Sequence, residues 1–267
     1  MGKPNHVDVN TMDNTLIFSD ANANGILTIT LNRPQAMNAI NSAMRDALIA
    51  QLQSAQRNEA VRAAVITGAG ERAFSSGQDL EEASVFAQED VAGWLNHLRL
   101  MFQSLREFEK PIVAAFNGVA AGAGFQIGLL CDARIGFADM RIGQPEVRAG
   151  LASVIGSHLM SGFLPHGKNV ELSLSGKLIT GSEAYGLGLL TQLVSRNEVL
   201  DKAIIAAEEL ACQPPLAVAL TKRRFREVTQ ANFDAAIVAA IEANQIAYGT
   251  GLPQKKMREF LKQRSKT

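Results

Sequence analysis

The stretch from Pro111 to Cys131 reads P-I-V-A-A-F-N-G-V-A-A-G-A-G-F-Q-I-G-L-L-C and contains no Asp, Glu, Lys or Arg. Its length is close to the roughly 20 apolar residues that cross a bilayer. Asn117, Gln126, four glycines and little bulky aliphatic mass argue against a span. A dinucleotide loop fits poorly as well. Gly122, Gly124 and Gly128 are spaced G-x-G-x-x-x-G, one residue too long, and the stretch lies mid-chain, outside a first strand–turn–helix unit. The remaining reading is a buried strand, a tight turn and a short buried helix, which places the chain in the α/β class.

Working outward, strand-like and helical runs alternate through the first half. Leu16 to Ser19 and Gly25 to Leu31 predict a strand pair joined by Asn22-Ala23-Asn24. Ile40, Met44, Leu48 and Leu52 recur every fourth residue and predict an amphipathic helix from Asn38 to about Arg57. Val61 to Thr67 reads as a strand, followed by a loop carrying A-F-S-S-G-Q-D-L and a helical region to about Phe108. Further strands are expected at Pro111 to Phe116, Asp132 to Ala138, Arg141 to Gly143 and Thr191 to Val194. From about Ala152 the chain is mostly helical. The expected organisation is a leader over residues 1–14, a strand-rich core over 15–200 and a helical region over 201–267.

The chain of 267 residues is 47% hydrophobic, enough for a substantial core. Its 26 basic and 26 acidic side chains cancel, so no long-range field recommends nucleic acid or an anionic membrane as a partner. Cys131 and Cys212 show no metal-ligand spacing and read as reduced core thiols of a cytoplasmic protein, with no metal site expected. The first residues lack the apolar core of a signal peptide.

Chemistry concentrates at two glycine-rich elements. After a strand, Ser75-Ser76-Gly77-Gln78 lets the backbone turn tightly and leaves an N–H free to point into a cleft. Gly122-Ala123-Gly124 does the same where a helix starts. Two converging N–H groups make an oxyanion hole, although glycines after strands also make plain turns. His6, His97, His158 and His166 pair with no Ser or Cys nucleophile in the sequence.

Four stretches in order carry a resemblance: L-N-R-P-Q-A-M-N-A at Leu31 to Ala39, A-F-S-S-G-Q-D-L at Ala73 to Leu80, N-G-V-A-A-G-A-G-F-Q at Asn117 to Gln126, and C-D-A-R-I-G-F-A at Cys131 to Ala138 running on to G-Q-P-E at Gly143 to Glu146. The chain resembles the enoyl-CoA hydratase/isomerase, or crotonase, family. The resemblance implies a ClpP-like spiral of ββα turns with a helical C-terminal trimerisation region, a homotrimer or homohexamer, and an acyl-CoA substrate whose coenzyme A is no separate cofactor. It implies an oxyanion hole from the N–H groups of Gln78 and Ala123, the latter usually glycine in the family. It also implies coenzyme A contacts at Gln35 (often lysine), Ala36, Met37, Ala73, Ser75 and Asp79, and at Phe260 and Lys262, commonly toward a neighbouring subunit. Trp94, Leu98 and Met101 suggest an apolar acyl wall.

Hydratases of this family carry two glutamates. Here the second is Glu146, while Gln126 occupies the place of the first, and an amide cannot accept a proton at neutral pH. One base suffices to shift a double bond from position 3 to position 2, so the chemistry leans toward isomerisation. Hydration of a 2-enoyl thioester comes next. Hydrolysis of a hydroxyacyl thioester and thioester binding without turnover remain alternatives.

Overall fold

Asn41 and the residues around it show how local chemistry sets an element boundary. In the computed structural model, which describes residues 15–264, Met37 and Asn38 both adopt positive φ (53° each). The Asn41 side chain accepts from the Met44 N–H. The first helix therefore starts at Ser42, four residues later than its periodicity suggests, because a left-handed pair cannot continue a helix and an Asn cap supplies a start.

Ten strands and ten α-helices follow one another among the described residues: β1 (Ile17–Ala21), β2 (Ile26–Leu31), α1 (Ser42–Arg57), β3 (Ala63–Gly68), β4 (Ala73–Ser75), α2 (Leu80–Ala83), α3 (Asp90–Arg106), β5 (Ile112–Ala115), β6 (Val119–Ala121), α4 (Ala123–Leu129), β7 (Ala133–Phe137), β8 (Arg141–Gly143), α5 (Val154–Met160), α6 (His166–Ser175), β9 (Ile179–Thr180), α7 (Gly181–Gly186), β10 (Gln192–Val194), α8 (Val199–Ala211), α9 (Pro215–Gly249) and α10 (Leu252–Arg264). The leader expected over residues 1–14 lies outside the described residues.

The strands form two sheets, of order β1-β2-β3-β5-β7-β10 and β4-β6-β8-β9. In three successive turns the first strand (β3, β5, β7) enters the large sheet, the second (β4, β6, β8) enters the small one, and a helical segment follows. This is the expected spiral of ββα turns. Pairing within each series is parallel, whereas β1–β2 and β8–β9 are antiparallel. β3 and β5 are buried at every residue, as parallel strands covered on both faces must be. Phe74 of β4 and Phe116 after β5 lie in the core, edge to face at 4.9 Å.

Pro111 to Cys131 thus holds two strands and a helix, one strand more than expected, and β4 occupies part of the expected loop. Gly128 lets α4 lie against Phe116: a Cβ there would be 2.1 Å from Phe116 Cζ. No single helix among the described residues is long and apolar enough to cross a membrane; Arg196–Ala211 and Pro215–Gly249 reach that length and composition only together, across a 104° bend. Cys131 is buried but Cys212 is exposed, which corrects its reading as a core thiol: it follows the last residue of α8, past the buried face. Leu216 and Leu220 are exposed on α9.

Candidate active site

The small sheet positions the site. β4, β6 and β8 are parallel neighbours, so their carboxyl ends lie side by side, and each is followed at once by a site element: Ser76-Gly77-Gln78, Gly122-Ala123 and Gln144-Pro145-Glu146. Crevices beyond the carboxyl ends of parallel strands are where α/β folds bind ligands.

The first two turns are built on left-handed glycines. Gly77 has φ +92° and Gly122 φ +52°, values at which a side chain would be strained. The turns also pack on each other, since a Cβ on Gly77 would lie 2.6 Å from Ala121 O and 3.2 Å from Ala123 N. Gln78 forms an isolated parallel bridge with Ile40, in which Ile40 N–H donates to Gly77 O and Asp79 N–H donates to Ile40 O. The N–H of Gln78 itself therefore points to the opposite side. Ala123 is the first residue of α4, so no helical carbonyl precedes it. Among the described residues, neither N–H takes part in a turn, loop or cap hydrogen bond.

The Gln78 side chain is held away from this work. Its Oε1 accepts from Trp94 Nε1 (3.0 Å) and Arg45 (3.1 Å), and its Nε2 donates to Glu82 Oε2 (3.0 Å). Arg45 is buried, and desolvation pulls its guanidinium down despite the Glu82 carboxylate beside it.

Glu146 sits over the second turn, where a Cβ on Gly122 would come within 3.1 Å of its Oε1. Gln126 Nε2 donates to Glu146 Oε1 (3.1 Å) and to Gln144 Oε1 (2.9 Å), while Gln126 Oε1 is buried with no protein partner. The carboxyl keeps some surface on the cavity, but protein surrounds it, and burial pushes it up to about 7, against smaller pulls from its own backbone N–H and the Ser153 hydroxyl. Of the two pulls the hydroxyl's is the smaller, and the hydroxyl makes no hydrogen bond of good geometry among the described residues.

These groups share a cavity of about 510 Å³ whose wall is mostly apolar, with Trp94, Leu95 and Leu98 of α3, Ile155 of α5, and Met257 and Leu261 of α10. Met101, expected in the wall, does not line the cavity: it shares a face of α3 with Trp94 but lies about two turns farther along the helix, where it is buried completely. Among the described residues no group of three His, Cys, Asp or Glu side chains could hold a metal ion.

The sequence model of the enoyl-CoA hydratase/isomerase family matches residues 21–265. The chain belongs to that family. It is 30% identical over 240 residues to the short-chain-enoyl-CoA hydratase of Clostridium acetobutylicum, covering 90% of this chain and 92% of the relative. It is 35% identical over 207 residues to the 2,3-dehydroadipyl-CoA hydratase of Escherichia coli, covering 76% and 78%. A solved enoyl-CoA hydratase/isomerase from Mycobacterium paratuberculosis superposes with a TM-score of 0.81 at 26% identity, covering 92% of this chain and 98% of that one. The fold is the crotonase fold, and the chain is an enzyme of the hydratase/isomerase family.

Of the coenzyme A residues that membership suggests, Ala36, Met37, Asp79 and Phe260 line the cavity. Asp79 is already engaged: it pairs with Arg33 at 2.7 Å and caps α2 through the N–H groups of Glu81 and Glu82. Ala73 and Ser75 are buried and do not line it; the Ser75 hydroxyl donates to Asn38 O and accepts from Gly77 N–H, bracing the turn from behind. Gln35 and Lys262 lie off the cavity wall. Phe260 faces the cavity of its own chain, because α10 folds back against α2, with Arg258 donating to Ser84 O and Gln254 to Phe86 O. Sequence reasoning passed over Gln144 and Asn38. Asn38 donates to Ala69 O and Ala73 O and accepts from Arg33 N–H, tying the cavity rim together. The G-Q-P-E motif contained the signal for Gln144, a polar residue beside an acid at a strand end.

Proposed function

We propose that this enzyme shifts the double bond of an enoyl-CoA thioester from position 3 to position 2, with Glu146 as the single acid/base. The observation that carries the reading is one buried carboxyl, raised to about 7, lying over the Gly122 turn with a neutral amide, Gln126, where a second carboxyl would stand. A carboxyl titrating near neutrality is matched to taking the α-proton and returning it at the γ-carbon. The N–H groups of Gln78 and Ala123 hold the thioester oxygen as it gains charge, each contributing roughly 3 kcal/mol of barrier lowering. Coenzyme A runs past Ala36, Met37 and Phe260. Leu216, Leu220, Phe225 and Val228, exposed on α9, support self-association into a trimer or pair of trimers.

Hydration of a 2-enoyl thioester is the second reading. It is favoured by the unpartnered Gln126 Oε1, an acceptor that can orient a water, and by the hydratase names of the two relatives above. Incubation with 3-enoyl and 2-enoyl thioesters, followed by absorbance of the conjugated enoyl thioester, separates the two: isomerisation raises the signal from the first, and hydration removes it from the second. Glu146→Gln is expected to abolish either change while thioester binding persists. Measurable binding with no change in either substrate would defeat both readings.

A further inference from the structure

Three side-chain termini meet in a closed triangle beside the Gly122 turn. The Gln144 amide terminus lies 2.7 Å from Glu146 Oε1, 3.0 Å from its Oε2 and 2.9 Å from Gln126 Nε2. Gln126 Nε2 closes the third side at 3.1 Å from Glu146 Oε1. Room for it is built into the backbone: a Cβ on Gly156 of α5 would stand 2.3 Å from Gln144 Oε1 and 2.4 Å from its Cδ, and one on Gly122 would press on Glu146. Gln144 and Gln126 are both buried.

Each amide can present either its N–H or its carbonyl to the triangle. With Glu146 ionised, the carboxylate only accepts. Setting one amide as donor and the other as acceptor leaves a carbonyl against the carboxylate. Setting both as donors leaves nitrogen against nitrogen, and setting both as acceptors leaves nothing to donate. With a proton on Glu146 Oε1, one amide donates, the other accepts from the acid, and all three contacts contain a hydrogen. Leaving a buried contact like against like is the costly case.

We propose that Gln144 is a positioning residue which, with Gln126, closes a hydrogen-bond triangle that is satisfied only when Glu146 is protonated, so that the two amides retain a proton on Glu146 in the resting site. The inference rests on Glu146 being the acid/base of the proposed reaction, but it concerns the protein without substrate. Burial acts in the same direction.

Charged neighbours do not account for the effect. Those lining the same cavity are Arg33 and Asp79, paired with each other, Glu81 of α2, Arg148, which donates to Ser175 O, and Lys256 of α10, 3.7 Å from Glu259. α4 carries no charged residue, the His158 ring of α5 lies against Phe233, and Lys168 and Glu171 of α6 pair with each other.

The test reads the Glu146 carboxyl directly, by infrared difference spectra of full-length wild type against Glu146→Gln across pH, without substrate. Burial alone predicts that replacing an amide by an apolar side chain leaves the midpoint in place or raises it. The triangle predicts the reverse, because removing either amide frees the other to donate to the carboxylate without conflict. Gln144→Met and Gln126→Met should each lower the midpoint by about one unit, and Gly156→Ala, which displaces the Gln144 amide, should lower it too. The Gln126→Met/Gln144→Met double variant should bring it back up. Single variants with an unchanged or raised midpoint would overturn the proposal. If the midpoint falls while no thioester is turned over, the triangle stands and the proposed reaction fails; in an active enzyme the rise of kcat/KM with pH should move down with the midpoint.

Discussion

Glu146→Gln should stabilise the fold, and only above the pH at which the unfolded chain releases its proton. In the native protein the carboxyl is raised from 4.5 to about 7. A shift of about 2.5 units corresponds to about 3 kcal/mol between the two protonation states. Below pH 4.5 both folded and unfolded chains hold this proton and the term vanishes. Between 4.5 and 7 the unfolded chain has lost it while the native chain keeps it, so wild-type stability falls as pH rises, and the loss is complete above about 7. The amide variant carries no such term.

The cavity admits water to part of the carboxyl, which trims the expected gain to about 2 kcal/mol. Every other titrating group is common to both proteins and cancels in the difference. Urea denaturation of the two proteins at matched concentration, at about pH 4 and about pH 8, measures it, because a gain of that size moves the midpoint by about 1 M at typical slopes. The gap between the midpoints should open as pH rises. A gap that stays constant, or closes, would refute the claim that Glu146 is held protonated by its surroundings.

Other perturbations test the frame around it. Gly77→Ala places a Cβ at φ +92° and 2.6 Å from Ala121 O; the strain should cost about 1–3 kcal/mol, and kcat should drop by about 10²-fold as the Gln78 N–H is turned away, whereas unchanged turnover would remove that N–H from catalysis. Gln126→Glu sets a second carboxyl about 3.1 Å from Glu146 Oε1, so the pair should share a proton and hydration of 2-enoyl thioesters should rise; no rise in the absorbance assay would count against a water site at this position. Asn244→Leu removes the bonds that join α9 to Ala152 N–H (3.0 Å) and Ala152 O (3.3 Å), leaving a backbone pair unmatched, and thermal denaturation should show a loss of about 1–3 kcal/mol.

Strands buried on both faces were readable from their apolar runs, Ala63 to Ile66 and Ile112 to Phe116: Val61 to Thr67 and Pro111 to Phe116 each found their place to within two residues. Of the small sheet β8 was read at Arg141–Gly143, but the other short strands were not. β4, β6 and β9 have three, three and two residues, too few for a period-two pattern to show, and they exist because the spiral sets them beside one another.

The order of four motifs, the glycines at 77 and 122 and an amide at position 126 are properties of the chain itself, since left-handed turns and proton-accepting groups depend on residue type alone. They determined the family, the expected turns and which side chains at these positions can take up a proton. Which residues meet was a tertiary matter. Ser75 and Ala73, one and three residues before the Ser76-Gly77-Gln78 turn in the same motif, are buried because both flanks of β4 are packed. Gln126 and Gln144, 18 residues apart, touch only because β6 and β8 run parallel and adjacent, with a glycine at position 156 leaving space for the amide.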